Sequence, residues 1–323
     1  MINTNHSLRL VRLGDLVARP IVGGHREVYQ LSSNTEGPRG IALALIANLI
    51  WGLAALYWMQ TKPVEAVDVM AHRGLWTLPV TLIIILALGR LRETLALISS
   101  FRFVCWVALA ALMLTINWGV YVFAVTNERA TEASLGYFML PLLTIALGVF
   151  VFGEKPKPVQ IVAICLAIAA VLVQLISYGS LPWVSLTLAL SFALYAAIRK
   201  QIEADSLQGL FLESLCMAPF AIVWLLLNEG AGLGAHGTRV DLFLLFSGVF
   251  TATPLLTYVA AARTLSLSNI GLLTYVGPTL QLLVAIFILR EPATLITALT
   301  FGLVWLGVIA VSLDAWRSSR VAT

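Results

Sequence analysis

Three ionisable residues of this chain lie within long apolar stretches, where charged side chains are rare. His72 and Arg73 lie side by side within the apolar residues 67–89, and Glu213 lies within the apolar residues 207–228. If each stretch is a transmembrane helix, Arg73 and Glu213 both sit about 9 Å inside their span, since an α-helix rises about 1.5 Å per residue. A charge at that depth is costly, usually faces protein rather than lipid, and marks a functional position.

The composition requires these residues to be positioned by membrane-spanning helices. The 323 residues are 60% hydrophobic and 11% charged, and the mean hydropathy is +0.93. The apolar residues come in blocks of about 20, the length that crosses a bilayer core as a helix. We therefore predict an all-α polytopic membrane protein with ten transmembrane helices, at residues 40–60, 67–89, 102–126, 130–153, 157–177, 181–199, 207–228, 239–262, 267–289 and 293–315.

The placement of lysine and arginine predicts the orientation in the membrane. With the N-terminus inside, fifteen of these residues fall in cytoplasmic segments and four in external ones, as the positive-inside rule requires. Both termini are therefore expected in the cytoplasm, as a basic N-terminal tail over residues 1–39 and a short C-terminal tail over residues 317–323. The net charge of +4 gives no reason to expect a nucleic-acid partner.

The two halves of the chain resemble each other. Pro141 and Glu154, within and just after the fourth predicted span, are separated by the same number of residues as Pro278 and Glu291, within and just after the ninth. The second pair follows the first at an offset of 137 residues. Residues 40–177 and 178–316 are thus predicted to be two five-helix repeats. Because five is odd, the second repeat must enter the membrane in the opposite sense, which is the inverted repeat of secondary transporters with a substrate site near the midplane.

Inversion places Arg73 and Glu213 near opposite faces of the membrane, so each needs a partner of its own. The turn between the third and fourth spans offers Glu132, and also Glu128, to Arg73. The corresponding turn between the eighth and ninth spans offers Arg263 to Glu213. Three interpretations remain open: ion-pair gates that open in turn, permanent structural bridges, or direct contact with a substrate.

His72 should point about 100° away from its neighbour Arg73 around the helix. As the side chain that titrates near neutral pH it could couple transport to protons, or it could simply hydrogen-bond a neighbouring helix. Other polar residues recur at helical spacing and predict faces turned toward a substrate cavity, or else helix–helix hydrogen bonds. These candidates are Asn48, Asn117, Tyr121, Tyr137, Thr144, Ser191, Tyr195, Tyr258, Thr274 and Gln281.

Four segments carry a resemblance to a known family: residues 71–76 (AHRGLW), 117–142, 179–200 and 272–292. They resemble the RarD branch of the EamA-repeat drug/metabolite transporter superfamily. The resemblance implies a ten-helix 5+5 fold in a bacterial inner membrane. It also implies a permease, expected to be an exporter, for small metabolites or drugs. No binding residues are carried over from the family.

Other classes of function have little support. Residues 232–237 (GLGAHG) match a dinucleotide-binding pattern, but a predicted span rather than a strand precedes them. No metalloprotease motif, nucleophile elbow or ATP-binding signature is present, and the three cysteines have no metal-ligand spacing. We therefore expect no enzyme, no cofactor and no metal, with the lipid bilayer and a small-molecule substrate as partners. A homodimer, a passive channel and a receptor or assembly protein without transport remain alternatives.

Overall fold

A computed structural model of the chain describes residues 38–98, 100–152, 155–228, 230–262, 265 and 273–321. Throughout this part of the chain the regular structure is helical. Seven of its helices are long and apolar enough to cross a membrane, and a bent pair of helices at the start would make an eighth span. Two shorter apolar helices, Trp183–Arg199 and Val276–Ile288, lie within the predicted sixth and ninth spans.

The helices follow one another through short turns. In chain order they are α1 Pro38–Gly52, α2 Ala54–Trp58, α3 Ala66–Ala87, α4 Leu91–Ala96, α5 Phe101–Thr126, α6 Ala130–Phe152, α7 Pro158–Tyr178, α8 Trp183–Arg199, α9 Ser206–Leu227, α10 Thr238–Ala262, α11 Val276–Leu283 and α12 Leu295–Val321. A 3-10 turn, Met59–Thr61, extends α2, and a π-helical turn, Val284–Ile288, extends α11.

Two features of these helices differ from the predicted spans. The first span is not one straight helix, because α1 and the helical residues 54–61 meet at an angle of 42°. The short helix α4 lies between the second and third predicted spans and belongs to neither. The basic tail over residues 1–37 lies outside the described residues, so its predicted character stays a prediction.

Helix ends follow from local sequence. Pro158 begins α7 at a position where its missing N–H is not needed, and Gly179 ends the helix with a positive φ of 65°. Asp205 caps α9 by accepting a hydrogen bond from the backbone N–H of Gln208 at 2.9 Å. The start of α6 is capped from a distance, because the Glu291 carboxylate accepts hydrogen bonds from the backbone N–H groups of Ala130 and Thr131.

Three pairs of helices pack antiparallel across the molecule. Asp68, early in α3, contacts Trp224 near the end of α9. Lys157, just before α7, forms an ion pair with Asp314 near the end of α12. In the same way α6 and α11 are joined where the Ser134 hydroxyl donates to the carbonyl oxygen of Pro278 at 2.8 Å.

Second contacts fix the antiparallel sense of two of these pairs. Arg90, beyond the end of α3, bridges to Asp205 at the start of α9, the opposite end from the Asp68–Trp224 contact. Gly307 in α12 packs on Ala163 in α7, further from the Lys157–Asp314 pair along both helices. Each of the three pairs joins one helix from the first half of the chain to one from the second.

Glycine allows the closest helix crossing in this arrangement. A Cβ atom on Gly248 of α10 would lie 2.1 Å from the carbonyl oxygen of Trp76 and 2.7 Å from the backbone nitrogen of Thr77 in α3. Only a residue without a side chain fits there. The crossing brings α10 against the turn of α3 that carries His72 and Arg73.

Candidate substrate cavity

A cavity of about 260 Å³ lies where helices from both halves of the chain meet. Its wall includes residues of α1, α3, α5, α6, α8, α9, α10 and α11. Aromatic rings dominate the lining: Trp51, Trp58, Trp118, Tyr121, Tyr137, Phe192, Tyr195, Phe250 and Tyr258. An apolar, aromatic wall with a few polar groups is the usual construction of a small-molecule site.

Most of the polar residues predicted to face a cavity lie in this wall. Eight of the ten line it: Asn48, Asn117, Tyr121, Tyr137, Tyr195, Tyr258, Thr274 and Gln281. Whether they contact a substrate stays a prediction. A second recess, of about 540 Å³, is larger but more open, and no charged residue lines it.

Two of the candidates lie elsewhere. Ser191 is buried one layer behind the lining, where its hydroxyl accepts a hydrogen bond from Asn117 Nδ2 at 3.1 Å. Thr144 is exposed on the surface of the helix bundle and donates its hydroxyl to the backbone carbonyl of Leu140 at 2.9 Å. It shares a helical spacing with Tyr137, but it lies a full turn beyond Leu140, the last residue of α6 in the wall.

Hydrogen bonds join neighbouring helices of the polar lining in each half of the chain. In the first half the Tyr137 hydroxyl donates to Asn117 Oδ1 at 3.0 Å, which joins α6 to α5. In the second half the hydroxyls of Tyr258 and Thr274 lie 3.0 Å apart, which joins α10 to the start of the ninth apolar segment. Spacing predicted that each of these residues lies on an inward face of its own helix, and it did not predict the contacts between helices.

Arg73 reaches into this cavity and is the one charged residue among those that line it. Its Nε donates to Thr251 Oγ1 at 2.9 Å. The guanidinium lies over the ring of Trp118, 3.8 Å from the centroid, and 4.8 Å from the ring centroid of Trp58. Arg73 is only 8% exposed, and its buried Nη1 has no hydrogen-bond partner.

The predicted pairing of Arg73 with Glu132 is therefore wrong for this structure. Glu132, in the first turn of α6, instead pairs with Arg129, the residue just before that helix. The two contacts measure 2.7 and 2.9 Å. Arg129 also lies over the ring of Trp183, 5.0 Å from its centroid. The physical reason is that Arg129, three residues before Glu132, is close enough in the chain to neutralise its carboxylate locally. Arg73 points instead into the aromatic cavity.

Glu213 is completely buried and lies beside the cavity wall rather than in it. The Tyr195 hydroxyl, which belongs to the lining, donates to Glu213 Oε2 at 3.2 Å. Arg199 Nε lies 3.6 Å from Glu213 Oε1. The predicted partner Arg263 lies outside the described residues. Arg199 was not considered as a partner from the sequence, although it follows Tyr195 at i+4 and so shares its helix face.

His72 lies outside the cavity lining and both of its ring nitrogens are occupied. Nε2 lies 2.8 Å from the carbonyl oxygen of Ala231, and Nδ1 accepts a hydrogen bond from Trp76 Nε1 at 3.2 Å. A proton on Nδ1 would cost the bond from Trp76, so these contacts stabilise the neutral ring. The geometry fits the alternative interpretation, a histidine that ties α3 to the loop before α10.

Comparison with known proteins identifies the family. The EamA-like transporter family matches this chain twice, over residues 38–176 and 181–313. A Protein RarD of Streptomyces exfoliatus is 37% identical over 90% of this chain and 93% of its own length. The Escherichia coli Protein RarD is 34% identical over 87% and 96%, respectively, and an uncharacterized transporter of Bacillus subtilis, YojE, is 35% identical over 90% and 98%.

A solved crystal structure supports the fold. It covers 87% of this chain and 99% of its own chain with a TM-score of 0.58, at 18% sequence identity. With its two family matches, its bacterial relatives and its seven long apolar helices, the chain belongs to the RarD branch of the EamA-like transporter family and is a multi-pass bacterial membrane protein.

Proposed function

We propose that the chain is a secondary transporter that exports small metabolites or drugs through the cavity around Arg73 by alternating access. The observation that carries the proposal is the position of the cavity. It lies between the two regions that match the family, and both regions supply its wall. A site at the interface between repeats is where an inverted-repeat transporter binds its substrate.

The antiparallel helix pairs support a 5+5 inverted repeat of ten spans. Under the offset found in the sequence, α3 corresponds to α9, α6 to α11 and α7 to α12, and these are the three pairs that pack antiparallel. A two-fold axis in the membrane plane would relate them. Under the same offset the Tyr258–Thr274 contact corresponds to the ring contact of Tyr121 with Tyr137, whose centroids lie 5.7 Å apart. The lysine and arginine distribution supports an orientation of this repeat with both termini in the cytoplasm.

The contacts at one end of the bundle support an outward gate that is closed. There Glu291 caps α6, the Ser134 hydroxyl donates to Pro278, and the Ser185 hydroxyl donates to the carbonyl oxygen of Glu132 at 2.7 Å. These bonds join α6 to α8 and α11. Opening the cavity to that side requires that they separate. At the opposite end, the buried Glu213 lies 3.6 Å from Arg199 Nε, and its expected gate pair with Arg263 stays a prediction because Arg263 lies outside the described residues.

The test is an efflux assay that does not presuppose the substrate. Proteoliposomes would be loaded with an equimolar mixture of small carboxylates, amides, amines and sugars, and mass spectrometry would follow which compounds leave. Thr274→Trp would fill the cavity from its wall. Thr144→Trp makes the same change at an exposed site outside the cavity.

We expect at least one compound to leave faster from vesicles with the wild type and Thr144→Trp than from vesicles with Thr274→Trp. Folding of each variant would be checked by size-exclusion chromatography. The proposal fails if no compound distinguishes the wild type from empty liposomes, or if Thr274→Trp transports as well as Thr144→Trp.

A further inference from the structure

The cavity holds a cation and no anion. Arg73 is the single charged residue of the lining, and three acidic residues of α3, α6 and α9 have other partners. Glu132 pairs with Arg129, and Asp68 accepts a hydrogen bond from Trp224. Glu213 lies behind Tyr195 and faces Arg199. Within the described chain, no carboxylate of the protein neutralises Arg73.

From this we infer that the transported solute is a small organic anion with a flat apolar body, and that the guanidinium of Arg73 binds its anionic group. The inference deepens the proposed function and rests on it. A buried charge without a counter-ion is unfavourable in a low-dielectric interior, and the two indole faces offset only part of that penalty. A bound anion would supply the missing charge.

The contacts of the guanidinium leave one of its nitrogens without a partner in the protein. Thr251 occupies Nε, and Trp118 covers one face of the planar group. The buried Nη1 has no partner. A guanidinium edge presents parallel N–H donors that match the two oxygens of a carboxylate or the oxygens of a phosphate. Thr251 and Trp118 therefore hold the guanidinium in one orientation, and we expect Nη1 to donate to a bound anion.

The rest of the wall sets the size and character of the ligand. A cavity of about 260 Å³ is smaller than the sites of drug-sized molecules. It equals the volume of roughly nine waters, so the ligand has on the order of ten non-hydrogen atoms. Trp51 and Tyr258, which also line the cavity, pack with ring centroids 5.4 Å apart and offer flat apolar surface. These surfaces suit an aromatic or planar body.

The test compares three probes of one shape and different charge. They are 3-phenylpropionate, its neutral amide 3-phenylpropanamide, and the cationic 3-phenylpropylamine. Binding to the purified full-length protein would be measured by thermal shift and calorimetry in a zwitterionic buffer of low salt. Chloride at the same concentration would be a fourth probe, to separate recognition of a bare anion from recognition of an organic one.

We expect the carboxylate to bind the wild type at least tenfold more tightly than the amide, and the amine and chloride to bind least. Arg73→Gln should lose that tenfold advantage while its affinity for the amide stays the same. Arg73→Lys keeps the charge without the planar fork and should retain part of the preference. Arg92→Gln removes the same charge from an exposed site and should behave as the wild type.

Several results would overturn the inference. They are equal affinity of the wild type for the three organic probes, an undiminished preference in Arg73→Gln, binding of chloride as tight as that of the carboxylate, or no binding of the carboxylate at all. If Arg73→Gln does not fold, the comparison of probes on the wild type and on Arg73→Lys still decides. Efflux of a neutral or cationic solute that Thr274→Trp blocks would preserve the transport proposal while the anion inference falls.

Discussion

Replacing Gly248 by alanine should separate the two helices that hold Arg73 in place. The added Cβ would lie 2.1 Å from the carbonyl oxygen of Trp76 and 2.3 Å from its carbonyl carbon. Ordinary contact between such atoms begins near 3.4 Å, so α10 and α3 must part by about 1 Å to approach the optimal separation. Neither backbone can turn aside as a side chain could.

The energetic cost follows from that displacement. Overpacking a well-packed site costs about 1–3 kcal/mol, and a clash with backbone belongs at the upper end of that range. Alanine recovers up to about 1 kcal/mol of helix propensity relative to glycine. For 323 residues, at about 2.1 cal/mol/K of unfolding entropy per residue, the net loss of about 2 kcal/mol corresponds to a fall in Tm of roughly 3 °C. The same displacement would lengthen the 2.9 Å bond from Arg73 to Thr251, one turn further along α10.

Thermal unfolding of the purified protein in detergent measures the effect. Gly302→Ala is the matched control, because a Cβ atom there meets nothing within 4 Å, and its Tm should stay the same or rise. Anion binding to Gly248→Ala should weaken, since its Arg73 loses the contact that orients it. If Gly248→Ala melts with the wild type, the close crossing of α3 and α10 is wrong and the placement of Arg73 must be revised.

Three further predictions concern single contacts. Thr251→Val should leave Arg73 Nε buried without an acceptor, which costs about 1–3 kcal/mol, and calorimetry should show weaker binding of 3-phenylpropionate. Glu291→Gln should lower the Tm by weakening the cap on α6, because the charged acceptor favours a helix N-terminus by about 0.5–2 kcal/mol; an unchanged Tm would contradict the cap. At the other end of the bundle, hydrogen bonds from Arg90 and then Gln208 lower the pKa of Glu93 below its ordinary 4.5. That stabilisation is present above pH 4.5 and is lost as pH falls below it, so the Tm difference between wild type and Arg90→Ala should shrink in acid; a constant difference would refute the assignment.

The sequence predicted the helices better than their bends. Runs of about 20 apolar residues locate a span because each backbone group must be satisfied within the helix. They carry no information about the 42° bend after Gly52, which depends on how α1 packs against its neighbours. A Cβ on Gly52 would lie 2.5 Å from the Cβ of Leu280, so that bend forms where α1 and α11 make close contact.

Residue spacing predicted the cavity wall but not the ion pairs. Tyr137 and Thr274 could be assigned to inward faces because helical periodicity fixes the direction of a side chain relative to its own helix. Partners across helices depend on rotations and depths that periodicity does not contain. That is why Arg73 was assigned to Glu132, whereas it contacts Trp118 and Thr251.

The cap formed by Glu291 shows the same limit. Its position at the end of the ninth predicted span does not indicate which helix it caps. In the structure the carboxylate binds the start of α6, 160 residues away in sequence. A carboxylate stabilises whichever helix N-terminus lies within reach, and only the tertiary arrangement decides which one that is.

Accessibility of the cavity from both sides of the membrane tests alternating access most directly. In a background with Cys105, Cys165 and Cys216 replaced by alanine, Thr274→Cys places one thiol in the cavity wall. Thr144→Cys places one outside it, on the surface of the bundle. A membrane-impermeant anionic thiosulfonate would be applied to right-side-out and inside-out vesicles.

If the cavity opens alternately to each side, Thr274→Cys should be modified from both sides of the membrane. Thr144→Cys, which should face lipid, should be modified from neither side. Modification of Thr274→Cys from one side only, or from neither, would contradict transport through this cavity.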